Sequence, residues 1–452
     1  MSQTDKKTGG AIVQKEAIRK MQGNKQKFDF RQYGMLIALL VIILFFQILT
    51  VGSQPAPTSV GEFFGLITKG KLLKPMNVSN LIFQNAYVII LAIGMLLCIL
   101  TGGNIDLACG SVIGLIGACA AKFIIEMGWN VYASIALCLA IGIAIGMWQG
   151  FWIAYVGIPP FICTLSGMLV FRGLTLLILN GLTISGFPNA YQRLSTGFIP
   201  DIVEKFTLFG KKVNLLCLIV GVVIAVGFLI LQFATNARKK RKGYDYQPLP
   251  LLIIKNVIIA AAVLFVFWLL ARNKGIPTVL IILAILLLVY SFFTQKTVMG
   301  RHLYAIGGNM KAARLSGVKT KRMMFFAYTN MSFIAAIAGL VFAARLNSAS
   351  PTAGQSFEMD AIASCFIGGA SAYGGTGTIG GALIGALIMG ILNNGMSIMG
   401  INSNMQQVVK GVVLLGAVAF DVLSKQNVSS RIKFLAEHMF KSIFKPIKRL
   451  PK

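Results

Sequence analysis

A chain that repeatedly runs about 20 apolar residues without a break has little choice of solvent. A helix of about 20 apolar residues crosses a hydrocarbon core of about 30 Å. Read with that ruler, the 452-residue sequence offers twelve candidate spans, near 33–52, 81–101, 107–127, 131–156, 161–180, 213–235, 249–271, 275–293, 323–344, 361–372, 377–396 and 405–423. The stretch 361–372 is too short to cross alone, and 102–128 is Gly-rich and is read as re-entrant or broken. Ten to twelve crossings are therefore expected. Composition agrees: 56% of residues are hydrophobic and 12% charged, with mean hydropathy +0.77. Ordinary soluble domains carry about 25% charged residues. These values exclude a disordered chain, and they exclude a soluble nucleic-acid binder despite a net charge of +29. The expected fold class is an all-α polytopic membrane protein, a bundle of about 10–12 transmembrane helices. The basic stretch before the first apolar run lacks the short apolar core and small-residue cleavage site of a secretory signal, so the first span is read as a retained anchor.

The excess charge is not scattered. Eight Lys and Arg lie in 1–31, five in Arg238–Lys242, seven in 294–322 and eight from Ser424 onward, together 28 of the 42. With twelve spans all four segments fall on one side, which the positive-inside rule makes cytoplasmic, with both termini inside. The organisation expected is a basic N-terminal tail (1–31), a transmembrane domain (32–423) and a basic C-terminal tail (424–452). Four basic residues fall within spans. Lys122 and Lys255 are placed to snorkel, while Arg172 and Lys410 lie deeper and call for a protein partner or a wet cavity.

Several chemistries lack their residues. The seven cysteines sit in apolar or Gly-rich runs and read as small buried hydrophobes. His302 and His438 have no ligand-spaced neighbours, so no metal or other cofactor is expected. Gly65-x-x-x-x-Gly70-Lys71 is followed by Leu72 where a phosphate loop needs Ser or Thr for magnesium. The carboxylates counted near spans are Asp106, Glu126 and Asp421, all close to span ends, which is thin for a proton-driven carrier. Glycines at four-residue spacing (Gly142, Gly146, Gly150; Gly377, Gly381, Gly385; Gly110, Gly114) make smooth stripes where helices approach closely. A weak echo relates Gly110-Ser111-Val112 and Gly114 to Gly377-Thr378-Ile379 and Gly381, with internal repeat and chance as equal readings.

The segment 294–322 carries more order than a topogenic signal needs. It reads Gly300-Arg301-His302-Leu303-Tyr304-Ala305-Ile306-Gly307-Gly308-Asn309, then Ala312-Ala313-Arg314-Leu315-Ser316-Gly317. Small residues would let a short helix enter a groove on another protein, with Arg301 and Arg314 pairing carboxylates there. This segment resembles the coupling segment in permease subunits of bacterial ABC sugar importers of the ribose/xylose/galactose class. Further matching stretches are Thr101-Gly-Gly-Asn-Ile-Asp-Leu107 with Gly110-Ser111, Ile158-Pro-Pro-Phe161 through Thr164 to Arg172-Gly173, Gly374-Gly-Thr-Gly377, and Gln406-Gln-Val-Val-Lys-Gly411 continuing to Asp421. The resemblance covers roughly 80–423. The chain departs from the pattern at Asn104 and Ala108-Cys109, and 238–275 adds a basic loop and a span; the latter addition is closest to xylose-type or multiple-monosaccharide members.

The resemblance implies a non-catalytic permease in the bacterial cytoplasmic membrane, working as a pair of copies, with a separate ABC ATPase on 294–322 and an extracytoplasmic sugar-binding protein opposite. It implies ATPase-coupling roles for Gly308, Asn309, Ala312, Ala313, Arg314 and Gly317. A polar, uncharged sugar calls for hydrogen-bonding groups and aromatic faces along its path. The candidates are Asn85, Asn104, Asp106, Phe161, Thr164, Phe171, Asn393, Asn394 and Gln406. Two alternatives stay open: a secondary carrier of small polar solutes, and an ABC permease for a nucleoside or autoinducer-type ligand.

Overall fold

The computed structural model describes residues 30–51, 69–201, 207–208, 211–243 and 248–425; residues 1–29 and 426–452 of the two terminal tails expected from the sequence lie outside these. The described chain is helical, with two short two-stranded ladders. The helices are α1 (Phe30–Leu49), α2 (Pro75–Leu100), α3 (Cys109–Glu126), α4 (Val131–Val156), α5 (Pro160–Leu179), the single turn α6 (Asn189–Gln192), α7 (Leu215–Arg241), α8 (Leu249–Ala271), α9 (Thr278–Lys296), α10 (Val298–Gly308), α11 (Met310–Leu315), α12 (Thr320–Leu346), α13 (Phe357–Ile367), α14 (Ile379–Ile398) and α15 (Ser403–Lys425). Among the described residues ten are long and apolar enough to cross a membrane, and α1 contributes a shorter apolar stretch, Gly34–Leu49. The eleven-residue α13 is too short to cross alone, as the sequence indicated, but it begins four residues earlier than the apolar run.

Local sequence sets the boundaries. Proline stands in the first turn of α2, α5 and α8, where a missing N–H costs nothing. Left-handed residues end the helices: Gly157 (φ +90°) stops α4 and Asn180 (φ +49°) stops α5. Asn130 caps α4 by accepting from Tyr132 N at 2.9 Å.

The core is α2, buried almost continuously from Asn85 to Leu100, with α3 and the middle of α12 against it. The packing has an internal exchange symmetry. α2 lies on α12; α4 packs on α12 as α14 packs on α2; α3 packs on α12 as α13 packs on α2; α3 meets α5 as α13 meets α15. Swapping α2–α5 with α12–α15 leaves the pattern intact, and α2 and α12 run in opposite directions, so the two sets form an inverted repeat. The sequence echo pointed elsewhere: it aligned the start of α3 with the start of α14, whereas the packing makes α3 equivalent to α13. Both echo segments are small-residue helix starts after Gly-rich breaks, which is enough to make them look alike.

The Gly stripes are contact surfaces. A Cβ at Gly142 would lie 2.5 Å from Ala336 Cβ, and one at Gly146 would lie 2.6 Å from Thr329 Cα, so α4 rides directly on α12. Gly381 and Gly385 similarly meet the α13 backbone at Gly368 and Ser364. The additional region 238–275 supplies the end of α7 and the whole of α8; α7 and α8 share an apolar cluster (Cys217, Leu269, Leu270) that reaches α2 through Val78.

Chain direction places both described termini at one end. Met35 of α1 lies beside Gly369, Asp421 of α15 accepts from Ala372 N at 3.0 Å, and Gly307 of α10 abuts Gly375. Arg238–Arg241 close α7 at that end too, since α7 starts opposite it, with Asn214 N bonded to Ala271 O at 2.9 Å. The described chain ends, Arg238–Arg241 and α10 thus lie at one end of the bundle.

Adding a side chain to the stripe should break the bundle. Gly146→Leu is expected to destabilise by at least the ~1–3 kcal/mol of core overpacking. Gly227→Leu, at a position with nothing within 4 Å, should be neutral. Thermal unfolding of the two detergent-solubilised variants checks both.

Candidate functional site

Two long helices stop where their chain still has to turn back. α2 ends in Thr101-Gly102-Gly103, with Gly102 at φ +121° and Gly103 at φ +75°, and α3 starts at Cys109. α12 ends at Asn347 (φ +53°); residues 348–356 then fold back, with Gly354 (φ +77°) and Ser356 (φ +65°) turning the chain into α13. Gly354 packs on the Gly110 carbonyl, so the two returns meet at the starts of α3 and α13. The meeting is polar. Asp106, fully buried, caps α3 by accepting from Ala108 N at 2.8 Å, and Arg172 donates from Nε to Ser111 Oγ at 3.3 Å.

On the α13 side a cavity of about 310 Å³ opens toward the end away from α10. Ligand cavities are typically about 300–1,000 Å³. Its wall is Gln84, Asn85 and Tyr87 of α2, Phe342 and Arg345 of α12, Phe357 of α13, Asn393 and Ser397 of α14, and Gln406 and Lys410 of α15. Three rings form a cluster: Tyr87 stacks on Phe357 with centroids 3.9 Å apart, and Phe342 meets them edge-on at 5.6 and 5.0 Å. Behind the rings lies Asp360, fully buried, holding Lys410 Nζ at 3.0 and 3.1 Å and accepting from the Tyr87 hydroxyl at 3.1 Å. Lys410 therefore has the protein partner its depth demanded.

Of the sequence candidates, Asn85, Asn393 and Gln406 line this cavity. Asn394 stands one layer behind, buried, donating to Gln84 Oε1 at 3.1 Å and accepting from Asn77 at 2.8 Å. The others are elsewhere. Asn104 and Asp106 serve the return after α2, with Asn104 Nδ2 bonded to Thr101 O at 3.2 Å. Thr164 turns its hydroxyl onto Pro160 O at 2.9 Å, Phe171 packs edge-on against Trp148 at 5.9 Å, and Phe161 is exposed near the start of α5. Missed were the rings, Arg345, and the carboxylates Glu358 and Asp360. Both acids were set outside the apolar run 361–372, yet they occupy the first turn of α13 and are buried. A lysine deep in α15 was the available signal that an acid lay within reach.

The segment 294–322 forms α10 and α11. Thr297 caps α10 by accepting from Gly300 N at 3.0 Å, and Asn309 caps α11 by accepting from Ala312 N at 3.0 Å. Gly317 (φ +86°) ends α11, with Val318 N returning to Ala313 O at 3.0 Å. Ala313 is buried, whereas Gly308, Ala312, Arg314, Gly317 and Leu315 (90% exposed) face outward. The platform is tied inward by Tyr304, whose hydroxyl donates to Gly377 O at 2.8 Å.

Comparison with known proteins matches these elements to a family. The family described as branched-chain amino acid transport system / permease component matches over residues 77–418. The xylose transport system permease protein XylH of Escherichia coli (strain K12) is 38% identical over 365 residues, 81% of this chain and 89% of that protein. XylH of Haemophilus influenzae is 36% identical over 399 residues, 88% of this chain and 98% of that one. The ribose import permease protein RbsC of Bacillus subtilis is 35% identical over 370 residues, covering 80% and 92%. No solved structure matches the chain. A multi-pass membrane bundle with an inverted repeat, matched along most of its length in this way, belongs to the transport-system permease component family.

Proposed function

We propose that this chain is the membrane permease subunit of an ATP-driven monosaccharide importer in the bacterial cytoplasmic membrane. Two copies form the translocation unit. A separate ATPase docks on α10 and α11, and an extracytoplasmic sugar-binding protein delivers to the end where the cavity opens. The observation that carries the reading is the cavity wall. Amides (Gln84, Asn85, Asn393, Gln406) and a hydroxyl (Ser397) supply donors and acceptors, Arg345 and Lys410 supply further donors, and Tyr87, Phe342 and Phe357 supply apolar faces. That is the chemistry a neutral polyol needs: hydrogen bonds worth about 0.5–1.5 kcal/mol each, with rings for its C–H faces. The likeness to xylose and ribose permeases supports the same substrate class.

The residues support this division of labour. The chain carries no Ser or Thr after Gly70-Lys71 to hold magnesium, and α10–α11 present Arg314 and Leu315 outward from a platform joined to the core by Tyr304. ATP-dependent closure of the docked subunits moves that platform. A state change of this kind favours transport only through differential affinity of the sugar for the two states.

Replacing Asn393 and Gln406 together by Leu should lower D-xylose uptake by cells at least tenfold at unchanged membrane abundance, because about 1–3 kcal/mol is lost per unsatisfied buried group. Unchanged uptake contradicts the cavity assignment. Arg314→Glu and Gly317→Trp should each abolish co-purification of the ATPase while leaving the bundle folded. Uptake by the chain alone in liposomes, abolished by a protonophore, would instead establish a secondary carrier.

A further inference from the structure

The ion pair behind the aromatic cluster is unusually placed. Asp360 is fully buried and stands in the first turn of α13, which begins inside the bundle, while Lys410, 19% exposed, reaches it from the cavity surface on α15. The Tyr87 hydroxyl completes the set from α2. One carboxylate thus joins three helices directly behind the cavity wall.

The two helices bridged by the ion pair, α13 and α15, differ in how they are held. α13 is packed by small residues against α14, with Gly385 at Ser364 and Gly381 at Gly368. None of the apolar window of α15 is buried. Its polar ties to the α13 segment are the Lys410–Asp360 pair near the cavity and the Asp421 carboxylate on Ala372 N, at 3.0 Å, near the α10 end. Between these ties runs the seam from the cavity toward the α10 end. The chain after α13 also reaches α10, through Gly375 against Gly307 and Tyr304 on Gly377 O.

We propose that Asp360 and Lys410 are the gate at the inner limit of the cavity: closed, the pair joins α13 to α15, and open, its two ends bond a substrate carrying adjacent hydroxyls. The proposal rests on the reading of the cavity as the sugar path. Asp360 accepts from one hydroxyl and Lys410 donates to its neighbour, so a vicinal diol gives each separated charge a hydrogen bond in place of the one it gives up. A ligand with a single hydroxyl leaves one charge bare, and the exchange fails. The gate therefore selects polyols, and it opens along a seam bordered by α15, whose apolar window is unburied in the described chain. Because α13 continues into the loop that abuts α10, movement of the docking platform acts on the same half-helix that carries Asp360.

The test uses the full chain in sealed liposomes without other subunits, reading efflux of labelled D-xylose. Wild type should hold the sugar. Asp360→Asn and Lys410→Gln should each raise efflux at least tenfold, and the exchange Asp360→Lys with Lys410→Asp should return it to within twofold of wild type. Singles as tight as wild type, or an exchange no tighter than the singles, overturn the gate. Each chain is used only if it elutes as a folded species, and Asp360→Glu, which keeps the charge, should stay tight even where the neutral variants fail to fold; a leaking Asp360→Glu counts against the gate. Adding Ser397→Trp to a leaking single variant should stop the leak. A leak that persists through the filled cavity refutes the path reading itself, whereas tight singles refute only the gate.

Discussion

A backbone that breaks inside a hydrocarbon-thick bundle must satisfy its own polar groups, because lipid supplies none. This constraint organises the protein. The returns after α2 and α12 are covered by each other and by neighbouring loops. Gly374 packs so tightly on the first return that a Cβ there would lie 2.5 Å from Gly102 Cα, and Gly375 N bonds Leu100 O at 3.2 Å. Gly354 seats on Gly110 in the same manner. Glycine is required at these points because side chains would separate the very groups that must pair. The inverted repeat follows, since each return is buried by the helices of the other half.

The same breaks create the site. A half-helix that starts within the bundle brings its first turn, with Phe357 and Asp360, to the inner side of a cavity that would otherwise be lined by continuous helix. Its carboxylate would be untenable there alone. Removing one partner of a buried pair typically costs about 3–5 kcal/mol, so Lys410 and Tyr87 are as much a part of the fold as of the cavity. At the far end of the segment after α13, Tyr304 and Gly307 tie the α10 platform to the Gly-rich loop. Site and platform are thereby connected through one chain segment rather than through the lipid-facing surface.

Much of this was legible in the residues. Span 131–156 coincides with α4 and 249–271 with α8, because apolar length and flanking Asn, Gly and Pro are local signals. The Gly stripes announced close helix contacts, and the depth of Lys410 announced a partner. The partner's identity was hidden because α13 is partly polar: Glu358 and Asp360 interrupt the hydropathy, and only burial by α2 and α15 makes that turn part of the bundle. The aromatic cluster was equally hidden. Tyr87, Phe342 and Phe357 are 15 to 270 positions apart in sequence (Phe342 to Phe357 is 15, Tyr87 to Phe357 is 270), and apolar helices contain many exposed rings, Phe161 among them. Asn104 and Asp106 serve the return after α2, Asn104 bonding Thr101 O and Asp106 accepting from Ala108 N, because a return inside a membrane needs polar groups for its own backbone.

In the proposed transport cycle, sugar occupies the cavity between α2, α12 and α15. All seven cysteines are buried, so a single cysteine introduced at exposed Ser397 reports that cavity from outside. The direct measurement is the rate at which Ser397→Cys, in otherwise native chain reconstituted in liposomes, reacts with a membrane-impermeant maleimide with and without saturating D-xylose. Labelling should slow with the sugar and stay unchanged with an equal concentration of a cationic amino acid. Labelling at the same rate in both conditions, in a chain that still transports, would contradict sugar occupancy of the cavity.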